Sequence, residues 1–305
     1  MAFVQANVNY AAEYSRALAN AYPYLSYFGP IWAANNSNLY KPGMGKTMYI
    51  PSMTTSGARA VDRDQITGTF NRNWNNAFQP VTLDMDREWD TLVDPMDMDE
   101  TNMVATIANI TRTFNEQQKV PEMDAYLAAK LYSFVTPDTT ALTTANILTT
   151  WDGYLEDMTN ARVNRDRLTA YMTPGVYKLL KEAAGLTRFV DTADGYRGID
   201  RNVARLDGVN IREVPSDLMK SSYSFTEGWT AADSAVQINM ILVDPEAVAA
   251  PVKYEVSMMS APTAQSKGKY LYYERYYYGA FKLNNRAGGI IVNAAAPAAA
   301  AGGET

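Results

Sequence analysis

Cysteine and histidine are both absent from the 305 residues. Without cysteine there are no thiol nucleophiles, disulfides or thiolate metal ligands, and without histidine there is no imidazole base. The Cys/His zinc sites are excluded with them, and the chain is expected not to be an enzyme. Lack of cysteine also agrees with synthesis in a reducing compartment. No stretch approaches the roughly 18 uninterrupted apolar residues of a membrane span, so no membrane partner is expected. The opening residues MAFVQANVNYAAEYSR have no basic region leading into an apolar one, so no secretory signal is expected. Positive charge is in the minority. The 27 Lys and Arg stand against 33 Asp and Glu, a net charge of −6, which argues against a general nucleic-acid binder acting through its field. GMGK at Gly43–Lys46 has neither the spacing nor the Lys-Ser/Thr ending of a phosphate loop. It reads as a turn into a strand, Lys46–Pro51, and no cofactor is expected.

What is present supports a folded body. With 47% hydrophobic residues, the chain is not disordered and can bury a core in one large or two medium domains. The organising stretch runs Phe78–Val135. It opens as an alternating strand, with Val81, Leu83, Met85 and Trp89 on one face and Thr82, Asp84, Asp86, Glu88 and Asp90 on the other. After Val93-Asp94-Pro95 the period becomes helical. Asp97 or Asp99 can cap the helix, with Glu100 near its positive end. Met103, Val104, Ile107, Ile110 and Phe114 then repeat at helical spacing. Pro121 interrupts the ladder, and Met123, Leu127, Lys130, Leu131 and Phe134 resume a stripe. This predicts one long helix bent at Pro121, or two end to end, reaching roughly 50 Å. Carboxylates at alternate strand positions could hold Ca²⁺ or Mg²⁺, but no EF-hand spacing or glycine hinge accompanies them. Like charges on one strand face repel unless matched, so Arg or Lys groups on a neighbour are the better expectation.

Around this stretch, Tyr10, Tyr14, Ala17, Leu18 and Ala21 predict a short amphipathic helix ended by Pro23. Tyr24, Leu25, Tyr27, Phe28, Ile31 and Trp32 are apolar without a period, so they need cover from elsewhere in the protein or from a neighbour. Thr47–Gln79 is polar and reads as two strand-like arms around a loop near Ser56–Asp64. In it Arg59, Arg63 and Arg72 alternate with Asp62 and Asp64. On its residues it reads as a solvated hairpin. VTPDTTALTT is a connector into a second domain. There Ile147, Leu148, Trp151, Leu155 and Met158 predict a helix capped by Thr143 or Thr144. A strand Arg167–Thr173 precedes a helix with Thr173 as cap, Pro174 at its first position and Gly185 as its stop. Strands follow at Gly208–Pro215 and Val236–Pro245, an alternation that marks an α/β or α+β domain. Val252, Tyr254, Val256 and Met258 alternate as a strand. Tyr270–Leu283 is another, Asn284–Gly289 turns, and Ile290–Val292 pairs back. The tyrosines of Tyr270–Tyr278 suggest a base-stacking platform, but Lys269 and Arg275 make too thin a basic track for one. They read instead as packing against a helix and a partner.

The run LDMDREWDTLVDPMDMDETN followed by KVPEMDAYLAAKL resembles the strand and spine-helix segment of tailed-phage major capsid proteins, which have the Hong Kong ninety-seven-type fold. The resemblance implies an α+β chain with an N-terminal arm (1–45), an extended β-hairpin loop (46–96) and a peripheral domain carrying the long spine helix (97–137 and 246–293). It further implies an axial α/β domain (138–245) and a flexible tail (294–305). Tyr24, Phe28, Trp32, Arg59, Arg63, Arg72, Asp84, Asp86, Glu88 and Asp90 would then meet neighbouring subunits. The partners implied are further copies in hexamers and pentamers, and possible portal, scaffolding or decoration proteins. Packaged double-stranded DNA would be enclosed without sequence-specific contact. The setting implied is a virion capsid, synthesised and assembled in the cytoplasm of a host bacterium. Some relatives join subunits by an isopeptide bond from a lysine of the extended loop. No lysine occurs here between Lys46 and Lys119, so an uncrosslinked head is expected. An encapsulin-like compartment shell of the same fold is the alternative.

Overall fold

The computed structural model describes residues 26–34, 41–42, 46–58, 73–96, 107–183 and 203–297. In chain order these form α1 (Gly29–Trp32), β1 (Lys41–Pro42), β2 (Thr47–Thr55), β3 (Trp74–Thr82) and β4 (Met85–Val93). A helical run follows: α2 (Ile107–Phe114), a π-helical turn (Asn115–Lys119) and α3 (Val120–Phe134). Next come α4 (Ile147–Asn160), β5 (Thr169–Met172), α5 (Pro174–Glu182), β6 (Arg205–Leu206), β7 (Val209–Glu213), β8 (Tyr223–Ser224), β9 (Thr230–Ala231) and β10 (Ile238–Val243). The chain then runs through β11 (Val248–Ala249), β12 (Val252–Ser260), β13 (Tyr270–Tyr278), β14 (Phe281–Lys282) and β15 (Ile290–Ala294).

Pro121 does not break the spine. Phe114, Lys119 and Val120 all keep right-handed helical dihedrals, so the run from Ile107 to Phe134 is continuous. It is roughly 42 Å long at 1.5 Å per residue. Proline has no N–H, and its ring would meet the carbonyl four residues back. The wider π turn just before it relieves that clash and lets the helix continue. The expected caps Asp97, Asp99 and Glu100, and the positions Met103 and Val104, lie outside the described residues.

The spine lies between two sheets. A five-stranded sheet has the order β15-β10-β5-β7-β6, in which β5 and β7 run parallel. Its strands alternate cleanly. Ala170, Met172, Met240 and Leu242 face α4 and α5, in a core with Trp151, Leu155, Met158 and Leu180. Tyr171, Ile241, Val243, Ile290 and Val292 face the other way, sharing a core with Met123, Tyr126, Leu127 and Leu131 of α3. Tyr276 and Tyr278 reach that same core from a three-stranded sheet of order β12-β13-β4. With neighbours on two sides, α3 is buried nearly all round from Val120 to Ala128.

Several sequence expectations change in the structure. The strand read through Phe78–Val93 divides at Leu83-Asp84. Its first part, β3, pairs with β2 as a hairpin, while β4 pairs with β13. Leu83 makes the division, donating its N–H to the Lys46 carbonyl (2.9 Å) while its side chain is buried. A Cβ on Gly279 would stand 2.9 Å from that side chain and 3.0 Å from the Phe281 ring, so a larger residue there would make them shift. Ile290–Val292 does not pair back on β13. It lies in β15, against β10. The strand read as Tyr270–Leu283 likewise stops at Tyr278, and β14 pairs with β11. Helix α5 ends at Glu182, ahead of the expected Gly185, which lies outside the described residues. At the head of α4, Thr143 shares the capping with Asn146: the Asn146 N–H donates to Thr143 Oγ1 (3.3 Å) and the Thr143 N–H to Asn146 Oδ1 (2.7 Å).

Candidate assembly surface

The register of β4 against β13 sorts its side chains. Asp86, Glu88, Asp90 and Leu92 stand opposite Tyr277, Arg275, Tyr273 and Leu271 on the outer face, and Arg87, Trp89 and Val93 point inward. The acidic residues have different environments. Asp84 pairs with Lys130 and accepts from the Tyr126 hydroxyl. Asp86 is gripped in bidentate fashion by Arg275 (3.1 and 2.9 Å) and also meets Lys46 (3.0 Å). The Arg275 hydrogen bonds hold its carboxyl below the ordinary aspartate value. For these two residues the cations come from the chain itself, where matching charges on a neighbour were expected. Glu88 is exposed and meets the Tyr273 hydroxyl (3.3 Å). Asp90 is exposed with no hydrogen bond or ion pair among the described residues. No group of three or more acidic side chains among the described residues is placed to hold a metal ion.

The charges that sequence reading missed lie on the inner face. Lys119 of the π turn and Glu274 of β13 form an ion pair in which each side chain is only 2% exposed. The Lys119 ammonium also sits over the Tyr276 ring, and the Tyr272 hydroxyl donates to Glu274 (3.1 Å). Arg87 takes both oxygens of Glu122 (2.8 and 2.9 Å), and its remaining donors reach the carbonyls of Phe225 (2.5 Å) and Gly228 (3.4 Å). Tyr278 donates to Glu122 (3.0 Å) as well. Burial raises the Glu122 carboxyl above its usual value despite these partners. The sequence did carry a signal. Arg87 occupies an inward position between Met85 and Trp89, and Glu274 lies between the inward Tyr272 and Tyr276. Glu122 and Asp124 are the carboxylates of the VPEMDAY motif.

The segment ahead of the hairpin is tied to the chain's own body. Phe28 is fully buried against Tyr171 (ring centroids 4.4 Å apart), and Trp32 meets Tyr278 edge-on (5.9 Å). Phe28 therefore has no surface to offer a neighbour, and its cover comes from the chain itself. Tyr24, Arg59, Arg63 and Arg72 lie outside the described residues.

Apolar surface concentrates in two places. Tyr49, Met53, Trp74 and Phe78 share one face of the β2–β3 hairpin by register, and all are exposed, Met53 by 61%. Buried large side chains on its other face are Met48 and Ile50, near its base. β1 pairs with β2 only at the base, beside Tyr49 and Met48, so beyond that point the ribbon is two-stranded, and a two-stranded ribbon is marginal alone in water. On the outer face of the three-stranded sheet, Leu92, Met258 and Leu271 are exposed beside Asp90 and Glu88. Among the described residues no helix is long and apolar enough to cross a membrane.

No family model and no curated protein matches the chain. Solved structures do. The capsid structure of cyanophage P-SCSP1u matches with a TM-score of 0.62 at 14% identity, over 85% of this chain and 86% of that one. The mature capsid of bacteriophage PhiM1 matches with a TM-score of 0.58 at 14% identity, over 82% of each chain. A Mycobacterium phage Che8 structure matches with a TM-score of 0.53 at 15% identity, over 82% of this chain and 84% of that one. The chain thus has the α+β fold of tailed-phage major capsid proteins.

Proposed function

We propose that this chain is a structural, non-enzymatic major capsid protein that assembles into the icosahedral head of a tailed phage around double-stranded DNA. The observation that carries the reading is the hairpin. It carries exposed apolar side chains, Tyr49 and Met53 among them, on a fold shared with phage capsid structures. Sister copies in rings of six and five would supply the cover. The outer face of the three-stranded sheet, with Leu92 and Leu271 beside the carboxylates of Glu88 and Asp90, is the matching surface. Arg59, Arg63 and Arg72 of the hairpin segment are the cations suited to those carboxylates. Many weak contacts, each repeated by symmetry, then close a stable shell. In domain terms, residues 46–82 act as the extended loop, the spine and three-stranded sheet as the peripheral domain, and the five-stranded sheet with α4 and α5 as the axial domain. Portal, scaffolding or decoration proteins would join at the surface, and DNA would be enclosed without sequence-specific contact. The place of action is the virion, after assembly in a bacterial cytoplasm.

Negative-stain imaging of the expressed protein tests this reading. Closed shells are expected, and a compact monomer at high concentration would overturn it. Closed shells that carry cargo peptides and lack a portal vertex and DNA would mark the compartment-shell alternative, and open rings or tubes a tail component. Boiling assembled particles in denaturant should give monomers, since the hairpin segment has no lysine beyond Lys46.

A further inference from the structure

Asp124 is a buried carboxylate that forms no ion pair among the described residues. It lies on the inner side of α3 and is 1% exposed. All its described partners come from the segment before the hairpin: the Ser26 hydroxyl donates to one oxygen and the Tyr27 N–H to the other (2.8 Å), and the Phe28 N–H and Trp32 indole also favour its charged form, though less than burial opposes it. Among the described residues, the groups around it form no ion pair with it. On β5, the Tyr171 hydroxyl is buried without a hydrogen-bond partner. On β7, Arg212 reaches the Tyr27 carbonyl (3.4 Å) and forms no ion pair with Asp124. On β13, Tyr278 donates to Glu122. On α3 itself, Glu122 is held by Arg87 and Lys130 by Asp84. An unpaired carboxylate closed off from water is penalised in its charged form.

We propose that Asp124 is a proton-operated latch: docking of Ser26–Ala34 onto the spine takes up a proton, so the segment is held tightly in acid and loosened as pH rises. The sign follows from burial, which pushes the Asp124 carboxyl up to about 7 in the docked form from the ordinary 3.8. The docked form therefore binds the proton more tightly than the undocked one. The stabilisation is complete below the undocked value and is lost as pH climbs through the docked one. Phe28 and Ile31 remain apolar anchors at every pH, so the latch adjusts the docking without being its sole cause.

The test reads the chain itself and does not depend on whether shells form. Hydrogen exchange of amides 27–34 in the full chain is followed from pH 5.5 to 8.5, corrected for intrinsic exchange. The expected result is about tenfold or more loss of protection across that range in wild type, with the pH dependence abolished in Asp124→Asn. A ¹³C titration of the Asp124 carboxyl in wild type covers the case in which the variant fails to fold, and should give a midpoint near 7. Ser26→Ala removes a donor to the carboxylate and should move that midpoint further up. Protection independent of pH in wild type, or a midpoint in the ordinary aspartate range, overturns the latch.

Discussion

The two cores on either side of the five-stranded sheet are built differently. Between the sheet and α4 and α5 the interior is aliphatic and aromatic, filled by Ile147, Trp151, Leu155, Met158, Leu180 and Leu242. Around the spine the apolar packing is threaded with Lys119, Glu122, Asp124 and Glu274, and with Arg87 at its margin. An apolar interior is satisfied by any close packing of suitable volume. A buried ion is satisfied only by a partner at one place, so each pair fixes how β4, β13 and the spine stand relative to one another. The first core holds a domain together. The second fixes β4 and β13 against the spine.

The largest effect should come from breaking a spine pair. Lys119→Met leaves Glu274 charged and unpaired, and urea unfolding should show a loss of about 3–5 kcal/mol. Adding Glu274→Gln, which still accepts from Tyr272, should restore most of it. If the single change costs no more than a surface substitution, the contrast between the cores is broken. In the other core Leu180→Ala should cost about 3 kcal/mol from lost burial and the cavity left behind, equally at pH 5 and pH 8. Asn115 sharpens the contrast from the opposite direction. Its buried amide has no hydrogen-bond partner, so Asn115→Leu should raise stability by about 1 kcal/mol. The smallest effect belongs to Asp86, whose carboxyl lies below its ordinary value because of Arg275. Its contribution is present above pH 3.8 and lost as pH falls through the folded value. Asp86→Asn should therefore lower stability by under about 1 kcal/mol at neutral pH, with the difference vanishing in acid denaturation curves.

The elements that were legible in the sequence are those whose neighbours do not matter. The stripe Ile147, Trp151, Leu155, Met158 specifies a helix whatever covers it, and the alternation in β4 and β12 specifies strands. Pairing was less legible. Ile290–Val292 carries the pattern of a strand that could return on β13, and only the distant β10 decides otherwise. The hairpin ends where Leu83 enters a buried site beside Gly279, nearly two hundred residues on. An Asp207-Gly208 turn with both residues at positive φ joins β6 to β7 and was a local signal that went unused. The buried ions were hidden because charge is read as surface. The fold class followed from the VDPMDMDET and VPEMDAY motifs, and the chemistry of the second motif emerged only when Glu122 and Asp124 were placed beside the spine.

Both legs of the hairpin leave the body at one spot, where Lys46 and Leu83 share a hydrogen bond. Each leg has nine residues in its strand, so the projecting ribbon is a lever about 30 Å long. A tilt of about 10° at that pivot swings its far end by about 5 Å. On the proposed shell reading, turning that joint would let one chain meet its neighbours at more than one angle, at the cost of repacking Met48 and Ile50 at its base.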